Sequence, residues 1–99
     1  MKSLQLDATI LQVCIDRYGI DSQTDVAIEE MSELIKALIK YRRRASVKTL
    51  QNIEEEIADV SIMLSQLVMI YSNAEEIQKQ IDQKLARQIV RLGLPEDSE

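Results

Sequence analysis

The stretch Ile53-Glu54-Glu55-Glu56-Ile57-Ala58-Asp59-Val60-Ser61-Ile62-Met63-Leu64-Ser65-Gln66-Leu67 decides the fold. It contains no glycine or proline. Its apolar residues Ile53, Ile57, Val60, Met63, Leu64 and Leu67 recur three or four apart, the spacing of one helix face. At about 100° per residue, Glu56 lands inside that stripe and Asp59 falls on its flank, near Met63 and Ile70. A carboxylate inside an apolar stripe is costly unless it is paired, protonated or bound to a cation. Glu56 is therefore the residue that asks for an explanation.

Working outward, the whole chain reads as helix. Two glycines, Gly19 and Gly93, and one proline, Pro95, interrupt its 99 residues. A first helix is expected from about Leu4 to Tyr18, stopping at Gly19. Ser22, Thr24 and Asp25 offer caps for a second that reaches about Arg44. Ser46 or Thr49 starts the third, which ends near Tyr71. Asn73 caps a fourth from Ala74 to about Leu92, and residues 93–99 form a frayed acidic tail. This is one all-α domain, residues 1–99, expected as a compact four-helix bundle. A chain this short buries a modest core, so a homodimer or homotetramer is expected to complete it.

Composition narrows the chemistry. The net charge of −5 argues against a nucleic-acid binder. No run approaches the ~20 apolar residues of a membrane span, and the N-terminus shows no apolar signal core, so a cytoplasmic protein without a membrane partner is expected. Cys14 stands alone in an apolar run and reads as a packing thiol. The absence of histidine excludes Glu-x-x-His di-iron bundles and histidine-held zinc, and no Gly-rich phosphate loop occurs.

A second acidic string precedes the first. In the second helix Ala27, Ile28, Met31, Leu34, Ile35 and Leu38 form the expected stripe, with Glu30 at its edge and Glu33 further round beside Val26 and Ala37. Glu30/Glu33 and Glu56/Asp59 each sit three apart, so each pair shares one region of its helix. Antiparallel packing of the two helices would bring four carboxylates into one volume. Without cations they would repel by several kcal/mol, even at an effective dielectric of about 20. Hard oxygen-seeking ions, Mg²⁺ or Mn²⁺, suit a site of acids alone. Glu29, Glu54 and Glu55 fit solvated faces.

The pattern Glu29-Glu30-Met31-Ser32-Glu33, followed after twenty-two residues by Glu56-Ile57-Ala58-Asp59, resembles the EExxE…ExxD signature of MazG-like nucleotide pyrophosphohydrolases. That all-α superfamily also includes dimeric dUTPases and phosphoribosyl-ATP pyrophosphatases. The likeness covers roughly Tyr18 to Arg91, and Lys84-Leu85-Ala86-Arg87 looks like the basic motif on the family's following helix. The resemblance implies Mg²⁺-dependent cleavage of a nucleoside triphosphate between its α- and β-phosphates. It implies Glu30, Glu33, Glu56 and Asp59 as metal ligands; on chemical grounds a spare carboxylate, Glu33 or Glu29, is expected to accept the attacking water's proton. Lys40, Lys84 and Arg87, with Arg91 on the same face, are candidates to meet the phosphates. Gln23 is a candidate for a base or sugar edge. Arg42-Arg43-Arg44 with Lys48 reads either as cations meeting a helix dipole or as a phosphate-gripping loop. Tyr18, Tyr41 and Tyr71 read as core or rim packing, with base stacking the alternative for one of them. A non-catalytic helical interaction module, and an enzyme restricted to dUTP or phosphoribosyl-ATP, are the competing readings.

Overall fold

The computed structural model describes residues 3–95. They form four helices: α1 (Ala8–Tyr18), α2 (Ile20–Arg43), α3 (Val47–Tyr71) and α4 (Ala74–Leu92), with no strand among the described residues. Of the expected tail, residues 96–99 lie outside the described residues.

The helix boundaries follow local hydrogen bonding. Asp7 caps α1 by accepting from the Thr9 and Ile10 amides at 2.9 and 3.2 Å. The helix therefore starts later than Leu4, because a side-chain carboxylate satisfies first-turn amides that lack helical partners. At the other end Gly19 adopts φ 92°, a conformation that glycine alone takes without strain. The chain turns on this single residue, and α2 begins at Ile20. Ser22, Thr24 and Asp25 thus lie inside α2 and cap nothing. The Thr24 hydroxyl instead donates to the Ile20 carbonyl at 2.8 Å, and it lies 2.7 Å from the Tyr71 hydroxyl. Both candidate starters of α3 take part in its cap. Ser46 Oγ accepts from the Thr49 amide at 3.1 Å, and Thr49 Oγ1 accepts from the Ser46 amide at 3.0 Å. Asn73 caps α4 through the Glu76 amide, and Gly93 closes it in the left-handed region.

The short turn at 44–46 folds α3 back along α2, and this antiparallel pair is the main packing unit, with α1 laid against both. Its core comprises Leu11 and Ile15 of α1, Ala27 and Ala37 of α2, and Ile53, Val60 and Met63 of α3. The seam on α2 is rotated from the expected stripe. It runs through Gln23, Ala27, Glu30, Leu34, Ala37 and Tyr41, all buried or half-buried, while Ile28 and Ile35 are each 59% exposed and Leu38 45%. The small side chains of Ala27 and Ala37 let the helices approach closely, so the larger aliphatics fall outside the contact. On α3, Ile53, Val60 and Met63 are buried as expected, but Ile57 and Leu64 are exposed.

One chain does not close the expected four-helix bundle. α4 turns through 113° from α3 at the Ser72–Asn73 break, and its backbone approaches α3 alone. No residue of α4 is buried, and Leu85 and Leu92 are 57% and 67% exposed. Among the described residues, no single helix is long and apolar enough to cross a membrane.

Candidate metal centre

The register of α2 against α3 places the acids. Deep in the seam, Gln23 Nε2 donates to Gln66 Oε1 at 2.7 Å, and both residues are buried. Seven residues on along α2 stands Glu30, and seven back along α3 stands Asp59. Because seven residues are close to two helical turns, each acid lies on the face its glutamine occupies, about 10 Å along the axis. A further three residues in each direction reach Glu33 and Glu56. The two acidic strings are thus brought opposite one another by the antiparallel pairing.

Glu30, Glu56 and Asp59 each offer one carboxylate oxygen to a common volume, with those atoms within 4.8 Å of one another. Glu30 and Glu56 are half-buried and Asp59 is exposed, so the cluster sits at the mouth of the seam. Glu56 Oε2 is buried and has no hydrogen-bond partner. A carboxylate oxygen removed from water without a donor is strongly destabilising, and almost all such atoms are satisfied in folded proteins. The electrostatics agree. Burial raises the Glu30 carboxyl above its ordinary value, helped by the charges of Asp59 and Glu56, a hydrogen bond with Asp59, and the charge of Glu29. Burial likewise raises the Glu56 carboxyl, with the charges of Asp59, Glu33 and Glu55 adding to it.

The other residues singled out from the sequence divide. Glu33 is not among the three converging acids: it pairs with Lys36 at 3.3 Å on the rim, close enough for its charge to act on Glu56. Glu29 is exposed beside Glu30. Gln23 does not face an open site, because it is buried in the seam with its amide donated to Gln66. Lys40 lines a cleft at the far end of the α2–α3 groove with Lys48 and Asn52. Arg42, Arg43 and Arg44 are exposed around the α2 C-terminus. Lys84, Arg87 and Arg91 are exposed on the outer part of α4. The first half of that helix, from Ala74 to Ile81, lines a pocket with Leu6, Ala8 and Leu11 and with Ser65, Val68 and Met69 of α3, and the three cations lie beyond it. Within one chain they are not gathered with the carboxylates. Tyr41 is half-buried, whereas Tyr18 and Tyr71 are 61% and 63% exposed.

Sequence reasoning passed over Gln66. Its signal was available: it lies seven residues beyond Asp59 on the same flank of the stripe, a second polar residue where an apolar one is expected.

The donor set fits a hard divalent cation. It consists of oxygen atoms alone, carries a surplus of negative charge, and includes one buried oxygen that lacks a donor. No known protein family, curated protein or solved structure matches this chain.

Proposed function

We propose that this protein is a Mg²⁺-dependent nucleoside triphosphate pyrophosphohydrolase of the MazG-like kind. It would convert a nucleoside triphosphate into the monophosphate and pyrophosphate. The observation that carries the reading is the convergence of Glu30, Glu56 and Asp59 around a buried, partnerless Glu56 oxygen. Such an atom is costly in a purely structural acid cluster and gains a partner in a cation-binding one.

Glu30, Glu56 and Asp59 would hold the metal, with Glu33 joining from the rim once released from Lys36. A divalent cation held there would supply neutralisation of phosphate charge and a more acidic bound water. The protein's own groups do the rest. The α2–α3 pair, joined by the buried Gln23–Gln66 hydrogen bond, would hold the carboxylates in position for binding. Glu33, half-buried on the rim, or the exposed Glu29 would accept the proton of the attacking water. The water oxygen joins the α-phosphorus, the bond to the α–β bridging oxygen breaks, and that electron pair departs with pyrophosphate.

The exposed apolar residues of α2 and α4 support a homo-oligomer, since contiguous apolar surface on a small chain marks an interaction face. In such an assembly, α4 of one copy would bring Lys84 and Arg87 toward the carboxylates of another. The test is a screen of nucleoside triphosphates with Mg²⁺ and Mn²⁺ that detects pyrophosphate separately from orthophosphate. Pyrophosphate release is expected; orthophosphate alone contradicts cleavage at the α–β bond.

A further inference from the structure

The groove between α2 and α3 does not end at the carboxylates. Toward the 44–46 turn lies a cleft of about 480 Å³, lined by Lys40 of α2 and by Lys48, Thr49, Gln51, Asn52 and Glu55 of α3. That volume is in the range of small-molecule sites. Its place relative to the acids follows from helix spacing. Asn52 stands one turn before Glu56 on α3, about 6 Å along the axis, and Lys40 stands two turns past Glu33 on α2. Asn52, Glu56 and Asp59 sit at i, i+4 and i+7, and Glu33 and Lys40 at i and i+7, so each set keeps to one side of its helix. Cleft and carboxylates therefore open along one groove.

Their charges are opposite. The cluster is acidic, while in the cleft two lysines face one acid, Glu55. Neither Lys40 nor Lys48 forms an ion pair among the described residues, where the ion pairs are Lys36–Glu33 and Lys79–Glu76. Thr49 offers no free hydroxyl, because Oγ1 is engaged by Ser46 and the Arg44 carbonyl. The carboxamides of Gln51 and Asn52 add neutral donors beside the two ammonium groups. An acidic cluster suited to a cation, followed one turn on by the Asn52 carboxamide and about two turns on by the long, unpaired side chains of Lys40 and Lys48, suits a chain of phosphates, with the first over the acids and the next ones further along.

We propose that this cleft is a polyphosphate subsite, which receives the β- and γ-phosphates of the nucleotide and holds them as the departing pyrophosphate. Lys40 and Lys48 serve as point charges to the phosphate oxygens. The assignment rests on the pyrophosphohydrolase reading of the neighbouring carboxylates.

Calorimetric titration of inorganic tripolyphosphate tests it, using the wild-type protein and the double variant Lys40→Ala/Lys48→Ala. In Mg²⁺ buffer the variant is expected to lose at least about tenfold in affinity, the scale of a lost hydrogen bond to a charged group. Mg²⁺ titrated alone should bind the two proteins equally. Both lysines are exposed, so the thermal melt of the variant should match wild type. Equal tripolyphosphate affinity in the two proteins, or no binding to wild type, overturns the cleft assignment. The metal reading of the carboxylates is overturned by a separate result: no heat from Mg²⁺ alone, with lysine-dependent tripolyphosphate binding unchanged by EDTA.

Discussion

Gln23 and Gln66 donate and accept a buried hydrogen bond of 2.7 Å that sets α2 against α3 two turns from the carboxylate cluster. Removing one partner strands the other away from water. Gln66→Met is expected to cost about 1–3 kcal/mol in denaturant unfolding, while the double variant Gln23→Met/Gln66→Met should recover most of that loss. A non-additive cycle of this kind would show that the pair acts as a unit.

Glu56 should behave oppositely with and without metal. In EDTA, Glu56→Gln removes a desolvated charge, and the melting temperature should rise above wild type. In excess Mg²⁺ the wild type should gain stability by ligand linkage and the variant should not. Hydrolysis should fall by more than about 100-fold, beyond the loss typical of groups that merely support a metal ligand. Parallel melting curves in the two buffers would contradict the metal assignment.

The raised carboxyls of Glu30 and Glu56 fix the sign of a pH effect. Above the ordinary value of 4.5 and up to the raised folded-state values, the folded chain holds protons that the unfolded chain has released. Stability of the metal-free protein should therefore fall as pH rises through that window, and these groups should contribute no penalty below it. After burial, the charges of Asp59, Glu56 and Glu29 drive the effect at Glu30, and those of Asp59, Glu33 and Glu55 drive it at Glu56. Thermal melts across pH in EDTA should show the slope, and saturating Mg²⁺ should flatten it.

Glu33 and Lys36 form an exposed pair, so Lys36→Ala should change stability by less than about 1 kcal/mol. Glu33→Gln should reduce Mg²⁺ affinity less than Glu56→Gln does, because Glu33 lies outside the three converging acids. Titration calorimetry on the two variants checks the order.

If Lys84 and Arg87 act across a subunit boundary, two inactive variants should complement. Mixing Glu56→Gln with Arg87→Ala, after dissociation and reassembly, should restore pyrophosphate release that neither shows alone. Leu85→Glu, on the apolar face of α4, should lower the oligomeric state in light scattering.

Local interactions made much of this protein legible from its residues. Ser46, Asn73, Gly19 and Gly93 mark the helix ends because capping and a left-handed or extended glycine involve neighbours within a few positions. Glu56 betrayed itself by sitting in an apolar stripe, and the spacing of the two acidic strings supplied its partners. The helical class and the placement of each acid on its own helix follow from periodicity, which a single segment carries by itself. Tertiary structure decided what depends on two helices at once. The seam on α2 shifted toward Ala27 and Ala37 because close approach favours small side chains, which left Ile28 and Ile35 outside. Gln23 went into the seam because Gln66 was there to receive its amide. α4 swung away from the acids at Ser72–Asn73, since a helix break sets no direction for the chain that follows. Whether a cation meets a carboxylate is settled by that direction, and no pattern within a single helix encodes it.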